Sequence, residues 1–527
     1  MNDIRNPILP GFHPDPSICR VGEDFYIANS SFEWFPGVTI HHSRDLRNWR
    51  LIARPLDRVS QLDMAGNPDS GGIWAPCLTW ADGMFWLIYT DVKSLNGAFK
   101  DTPNYLVTAP EITGPWSEPI YLNSSGFDPS LFHDDDGRKW LVNQLWDYRP
   151  GRHPFKGIVM QEYSHEMGKL IGEREDIFPG TELKVTEGPH LYKRNGYYYL
   201  LTAEGGTGVN HAVTIARSKD IHGPYEVDPE NPMLTAKDKD CRLQKAGHAD
   251  FTDTPTGEWY MVHLASRPVK EGRCPLGRET AIQKVHWTDD GWVRLVEGGN
   301  APQDVVAAPD LEEHPFEGPP ARDDFDSADL PLRYQSLRVP IDESWASLTE
   351  RPGFLRLYGR EGLSSTFRQS LIARRVQSFH CEASTRVEYE PRHFHQSAGL
   401  VAYYNTQNWI YLHVTHDEDL GVCIKLLSNH NSDLQERMEP IHIGARRRIS
   451  LRCRVEQDEI RFFVGGCGCG DDENWLEVGE ACDFSKLSDD YVNGWGFTGA
   501  FVGMACQDLD GTRLHADFDY FEYKELD

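Results

Sequence analysis

One short word recurs five times along this 527-residue chain, and it restricts the fold more than any other feature. It reads Gly11-Phe12-His13-Pro14-Asp15-Pro16-Ser17-Ile18. Altered copies stand at Ile73-Trp74-Ala75-Pro76-Cys77-Leu78, Gly126-Phe127-Asp128-Pro129-Ser130-Leu131, Thr186-Glu187-Gly188-Pro189-His190-Leu191 and Gly247-His248-Ala249-Asp250-Phe251. With Pro16, Pro76, Pro129, Pro189 and Ala249 taken as equivalent, the steps are 60, 53, 60 and 60 residues. A period of that length is one supersecondary unit repeated, and a single unit cannot cover its own apolar faces, so the copies must stack around an axis.

Each word is followed by a polar turn with a glycine and then an aromatic strand, as in Gly83-Met84-Phe85-Trp86-Leu87-Ile88-Tyr89 and Gly196-Tyr197-Tyr198-Tyr199-Leu200-Leu201. That is hairpin grammar. About four strands per copy make a propeller blade, and five copies make a five-bladed β-propeller over residues 1–300. No helical apolar period is long enough to suggest alternating strands and helices, so the chain reads as all-β. Its 24 Phe, 21 Tyr and 15 Trp supply the cores, and 46 Gly and 33 Pro supply the turns.

The period stops near Gly298. Residues 301–322 are rich in proline and acid with no strand pattern, which reads as a linker over the surface. From Asp323 to Asp527 strand-like runs return, among them Phe379 to Tyr389, Ala398 to Tyr404, Trp409 to Thr415 and Phe497 to Met504. Their regular spacing predicts a β-sandwich.

The formal net charge of −28 repels phosphate backbones and anionic lipid, which argues against nucleic-acid and membrane partners and leaves a neutral substrate indifferent. The N-terminus carries no apolar targeting segment, and no window is long enough to cross a bilayer. Eleven scattered cysteines read as reduced thiols, so the expected compartment is cytoplasmic. Cys467-Gly468-Cys469 reads as a hairpin turn rather than a metal site, since no second ligand pair accompanies it.

If the repeated word opens the innermost strand of each blade, the five copies ring one mouth of the central channel. The slots are then Asp15, Ala75, Asp128, Gly188 and His248, with Glu187 one residue early in its copy. Taken singly, an Asp-Pro is a turn dipeptide whose proline biases the Asp toward extended backbone. Three acids converging on one mouth are another matter, because they must shift one another's pKa values. Ala75 shows that the fold itself does not require an acid there. Two carboxylates of unequal pKa are what glycosidic cleavage needs, one ionised and one protonated, with a third to keep the donor loaded. Phe32, Trp34, Trp74, Trp80 and Trp146 lie close to the ring in sequence and offer faces for sugars, Trp74 being a better wall candidate than Trp80. Arg278, in a strand of the fifth copy, reads on its own as a surface charge.

Asp15, Asp128 and Glu187 in these words resemble the three acids of glycoside hydrolase family 43, and the trailing sandwich resembles that of the family's two-domain β-xylosidases. The resemblance covers essentially the whole chain and implies a jelly-roll, concanavalin-like sandwich that contributes to the pocket. It implies an inverting exo-hydrolase acting on β-1,4-xylo-oligosaccharides from the non-reducing end. Asp15 would be the general base, Glu187 the general acid and Asp128 the tuner of that acid. Arg278 would bond the terminal sugar, Phe32 and Trp74 would wall it with Trp146 nearby, His248 would be the axial histidine, and Phe501 would close the pocket. No cofactor is implied, although some members bind a divalent cation, often calcium, near the axial histidine; a hydrogen-bonded His248 beside Asp250 is the plainer expectation. A homo-oligomer, dimer or tetramer, is implied as well. α-L-Arabinofuranosidase activity, alone or alongside, is the nearest alternative, and a non-catalytic carbohydrate-binding propeller is the remote one.

Overall fold

The computed structural model describes residues 3–444, 446–465 and 474–526. The pair Cys467 and Cys469 lies outside the described residues. Within them the chain is strands and turns, with two short 3-10 turns at Lys270–Gly272 and Phe484–Lys486.

Five four-stranded antiparallel units follow one another. The first is Ser17–Val21, Asp24–Asn29, Thr39–Ser43 and Arg50–Ala53; the second is Gly72–Ala81, Met84–Val92, Asn104–Ala109 and Ile120–Asn123. The third is Ser130–His133, Lys139–Trp146, Phe155–Ser164 and Lys169–Phe178. The fourth is Glu187–Arg194, Tyr197–Glu204, Ala212–Ser218 and Glu226–Val227, with Leu234–Thr235 added beside Ala212–Ser218. The fifth is Gln244–Asp253, Trp259–Ser266, Glu279–Trp287 and Val293–Leu295. Gly22, Gly83, Gly137, Gly196 and Gly257, which precede the aromatic strands, all have φ between 65° and 87°, as tight hairpins of this hand require.

The stacking demanded by the repeat appears as five apolar wedges. Ile73 and Tyr89 meet Ile40 between blades one and two, Trp86 meets Leu141 between two and three, and Val142 meets Leu200 between three and four. Leu201 meets Met261 between four and five, and Ile18, Phe25 and Ile27 meet Tyr260, Val262 and Ile282 to close the circle. The closing seam is reinforced by the segment read as a structureless linker. Val305–Ala307 pairs antiparallel with Asp3–Arg5, and Val306 is buried while its strand neighbours are exposed. Three residues are too few to announce a period of two. The Asn6 side chain ties the same seam to Ile282 and Gln303.

The C-terminal part is a sandwich of an eight-stranded and a seven-stranded antiparallel sheet around its own apolar core. Ser336–Leu337 pairs with Trp34–Phe35 of the first blade, so the two parts share a short ladder. They also share a core in which Phe12, Trp34, Tyr403 and Phe501 are fully buried. The expected strand from Phe497 begins only at Phe501; residues 497–500 are irregular and lie along the fifth blade. Gly499 permits that approach, since a Cβ there would stand 2.7 Å from the Leu276 carbonyl oxygen.

Candidate active site

All five ring slots share one backbone feature. Asp15, Ala75, Asp128, Gly188 and His248 have φ of 51°, 23°, 53°, 56° and 47°. The extended backbone expected of an Asp before proline is therefore corrected: Asp15 and Asp128 are left-handed, a conformation Asp tolerates better than most residues. In blades two, four and five the slot lies within a register shift of the ladder, between Trp74 and Cys77, Glu187 and His190, and Gly247 and Ala249. Bulges of this kind re-aim side chains at barrel and propeller rims. They explain how the fourth copy can move its acid by one residue: the slot itself is Gly188, where a Cβ would stand 2.8 Å from the His248 ring.

Asp15, Asp128, Glu187, His248 and Arg278 converge on a cavity of about 280 Å³. Asp15 is held on both oxygens: Arg278 Nη1 donates to Oδ1 at 3.0 Å and the Ser30 hydroxyl to Oδ2 at 2.7 Å. His248 Nδ1 lies 3.3 Å from the same Oδ1. Asp128 accepts from the Gly188 amide at 3.1 Å. Arg278 Nη2 donates to the Phe497 carbonyl at 3.0 Å, while its buried Nε has no hydrogen-bond partner among the described residues.

Burial and charge split the three acids. Burial pushes Asp15 upward, but Arg278, His248 and Ser30 outweigh it and hold the carboxyl well below the usual carboxylate range. Burial raises Asp128, with His248 opposing and Asp15 reinforcing. Burial also lifts Glu187, and the charges of Asp128 and Asp15 add to it, so this carboxyl sits well above its ordinary value. The cavity thus pairs an ionised carboxylate with a carboxylic acid that stays protonated, the arrangement for activating water on one side of a bond and protonating a leaving oxygen on the other.

The walls are aromatic. Phe32, Trp74 and Trp146 all line the cavity, with Trp74 fixed by its Nε1 bond to the Ser70 carbonyl at 2.8 Å. Phe501 does not reach it. That ring is fully buried and stacked on Trp34 at 3.6 Å between centroids, at the start of the strand Phe501–Asp508. The residues from the sandwich that face the cavity are Phe497 and Trp495, and Phe497 packs 5.4 Å from Trp74 and 6.0 Å from Phe32. Phe127, Phe155, Lys100 and Ser30 were also missed by the reading of the sequence. Phe127 was the one within reach, since it adjoins Asp128 in the repeated word.

The donors around His248 do not suit calcium, which takes six to eight oxygens. Beside this imidazole stand the Asp15 carboxylate, already paired with a guanidinium, Gly188, and the Asp128 carboxylate, which itself accepts from the Gly188 amide, so few free oxygens face it. Asp250 is engaged elsewhere by Ser17, Ile18, Tyr192 and Phe251. Among the described residues, the group of three whose ligand atoms lie within 4.8 Å of one another is His393, His395 and Asp510, on the sandwich.

A closed propeller with three acids of unequal proton affinity under aromatic walls is a glycoside hydrolase. Glycosyl hydrolases family 43 matches residues 4–293, and the β-xylosidase C-terminal concanavalin A-like domain matches residues 322–524. The chain is 54% identical over 536 residues to a β-xylosidase of Bacillus subtilis (strain 168), covering 99% of each. It is 51% identical to a xylosidase/arabinosidase of Humicola insolens, covering 100% of this chain and 98% of that one. The crystal structure of a xylan β-1,4-xylosidase from Bacillus halodurans C-125 superposes with a TM-score of 0.97 at 57% identity, covering 99% of this chain and 100% of that one. The chain belongs to glycosyl hydrolase family 43.

Proposed function

We propose that the chain is an inverting, exo-acting β-xylosidase that releases xylose from the non-reducing end of β-1,4-xylo-oligosaccharides. The observation that carries this reading is the opposite proton loading of Asp15 and Glu187 in one walled cavity, and the names of the similar enzymes supply the sugar. Asp15 is the general base that takes a proton from water. Glu187 is the general acid that gives one to the leaving oxygen. Asp128 raises the proton affinity of Glu187 and is itself fixed by the Gly188 amide. Arg278 and His248 hold Asp15 in its charged form and meet the terminal sugar, while Phe32, Trp74, Trp146 and Phe497 wall the ring. No step calls for a cofactor.

Proton NMR of the first product tests the stereochemistry: α-xylose is expected, and β-xylose would overturn the role of Asp15. Digestion of xylohexaose tests the mode, with xylose expected before any mid-chain fragment.

The Humicola relative, a xylosidase/arabinosidase, favours a second reading in which arabinofuranosides are also cleaved. Rates on the nitrophenyl β-xyloside and α-L-arabinofuranoside decide between single and dual activity. The proposal extends to a homo-oligomer, dimer or tetramer, in the cytoplasm. The free thiols of the described residues support the compartment, and light scattering on the purified protein tests the assembly.

A further inference from the structure

Beyond Trp146 the active-site cavity opens onto a second cleft of about 610 Å³, and Lys100 and Trp146 line both. The shared residues put this cleft beside the exit from the three acids. Its composition departs from the rest of the molecule. The chain has 81 acidic residues against 53 Lys and Arg, yet the cleft is lined by Lys100, Arg149, Lys156 and Arg174 against Asp101 and Asp147.

The cations are not equally available. Arg149 is bound to Asp147 through Nε at 2.8 Å and Nη2 at 2.6 Å, and Lys156 pairs with Asp176. Lys100 has no carboxylate partner among the described residues; it donates to the Leu95 carbonyl and sits 4.6 Å from the Trp146 ring and 5.6 Å from that of Trp495. Arg174, exposed on the outer strand Lys169–Phe178, has no hydrogen-bond or ion-pair partner among the described residues. Beside them Phe99 and Tyr148 pack at 4.6 Å with 68% and 53% of their surface in water, a platform of the kind that sugar faces stack on.

We infer that this cleft is a leaving-group-side subsite for an anionic sugar: Phe99 and Tyr148 take the ring, and Arg174 with Lys100 takes the carboxylate of a uronic acid carried by the oligosaccharide. The inference rests on the β-xylosidase reading above and adds a substrate class to it. A guanidinium without a counter-charge gains a bidentate partner, and the exposed setting limits the gain to that of a surface ion pair.

The test compares three substrates: xylotriose, xylotriose with one glucuronic acid on its reducing-end residue, and the methyl ester of that acid. The ester keeps the shape and removes the charge. At low salt kcat/KM for the acid is expected to exceed that for the ester by about three- to five-fold. The ratio should fall toward one in about 0.5 M sodium chloride. Arg174→Glu should drive it below one, and Phe99→Ala should lower kcat/KM for acid and ester together. Equal rates on acid and ester at low salt, or a ratio unmoved by Arg174→Glu, would overturn the subsite. Xylose release from plain xylotriose reports on the underlying activity, so a protein that cleaves xylotriose but ignores the charge loses only this inference. One that leaves xylotriose intact loses both.

Discussion

At the scale of single residues the site is a problem in proton distribution. Three carboxyls share one small space, and what separates them is who their neighbours are. Asp15 has Arg278, His248 and Ser30; Glu187 is buried beside two other acids, which Arg278 opposes only in part. Glu187→Gln is expected to cut kcat on xylobiose by about 10²–10⁴-fold, the usual worth of a positioned proton donor. Asp128→Asn offers a sharper check, because the sign can be worked out. Asp128 raises Glu187 by its negative charge, so removing that charge lowers the affinity of Glu187 for its proton. Loss of the acid form sets the alkaline limb of kcat/KM, and that limb should move to lower pH in the variant. A limb that stays in place would mean that Asp128 tunes nothing.

At the scale of elements the blade decides where each acid can stand. The fivefold word was legible because each copy meets the same local demand, a residue of positive φ at the innermost strand, met here by Asp15, Ala75, Asp128, Gly188 and His248. The displaced acid was legible too, but its cause was not: Gly188 is glycine because the His248 ring fills the space a side chain would need, and that ring comes from a different blade. Gly188→Ala should cost about 1–3 kcal/mol of stability from backbone strain and, by pushing on His248, reduce kcat as well; urea denaturation and steady-state rates measure the two effects. Full activity in this variant would contradict the packing described. The sandwich wall was harder to read. Phe497 and Phe501 are both aromatic, four residues apart in an apparent strand, and alternation gives them the same face. Only the irregular chain from 497 to 500, made possible by Gly499 against Leu276, turns one ring into the cavity and leaves the other in the core.

At the scale of the whole molecule those two phenylalanines have different duties, and substitution separates them. Phe501→Ala removes a fully buried ring from the core shared by both parts, and about 3–5 kcal/mol of stability should go with it, while KM stays near that of the parent. Phe497→Ala should do the reverse, raising KM roughly ten-fold for the loss of one apolar wall with a small change in melting temperature. Finding the two effects exchanged would restore Phe501 to the pocket.

The bond from Arg278 to the Phe497 carbonyl joins residues 219 positions apart. A nascent chain folds domain by domain from its N-terminal side, so the three acids can be assembled on a finished propeller long before Phe497 has been translated. Until then the guanidinium lacks one of its two anchors and the cavity lacks a wall. Synthesis therefore contains an interval in which the three acids are already encoded but the pocket still lacks its Phe497 wall. A closed sugar pocket is in this sense a late certificate that the ribosome has read past residue 497.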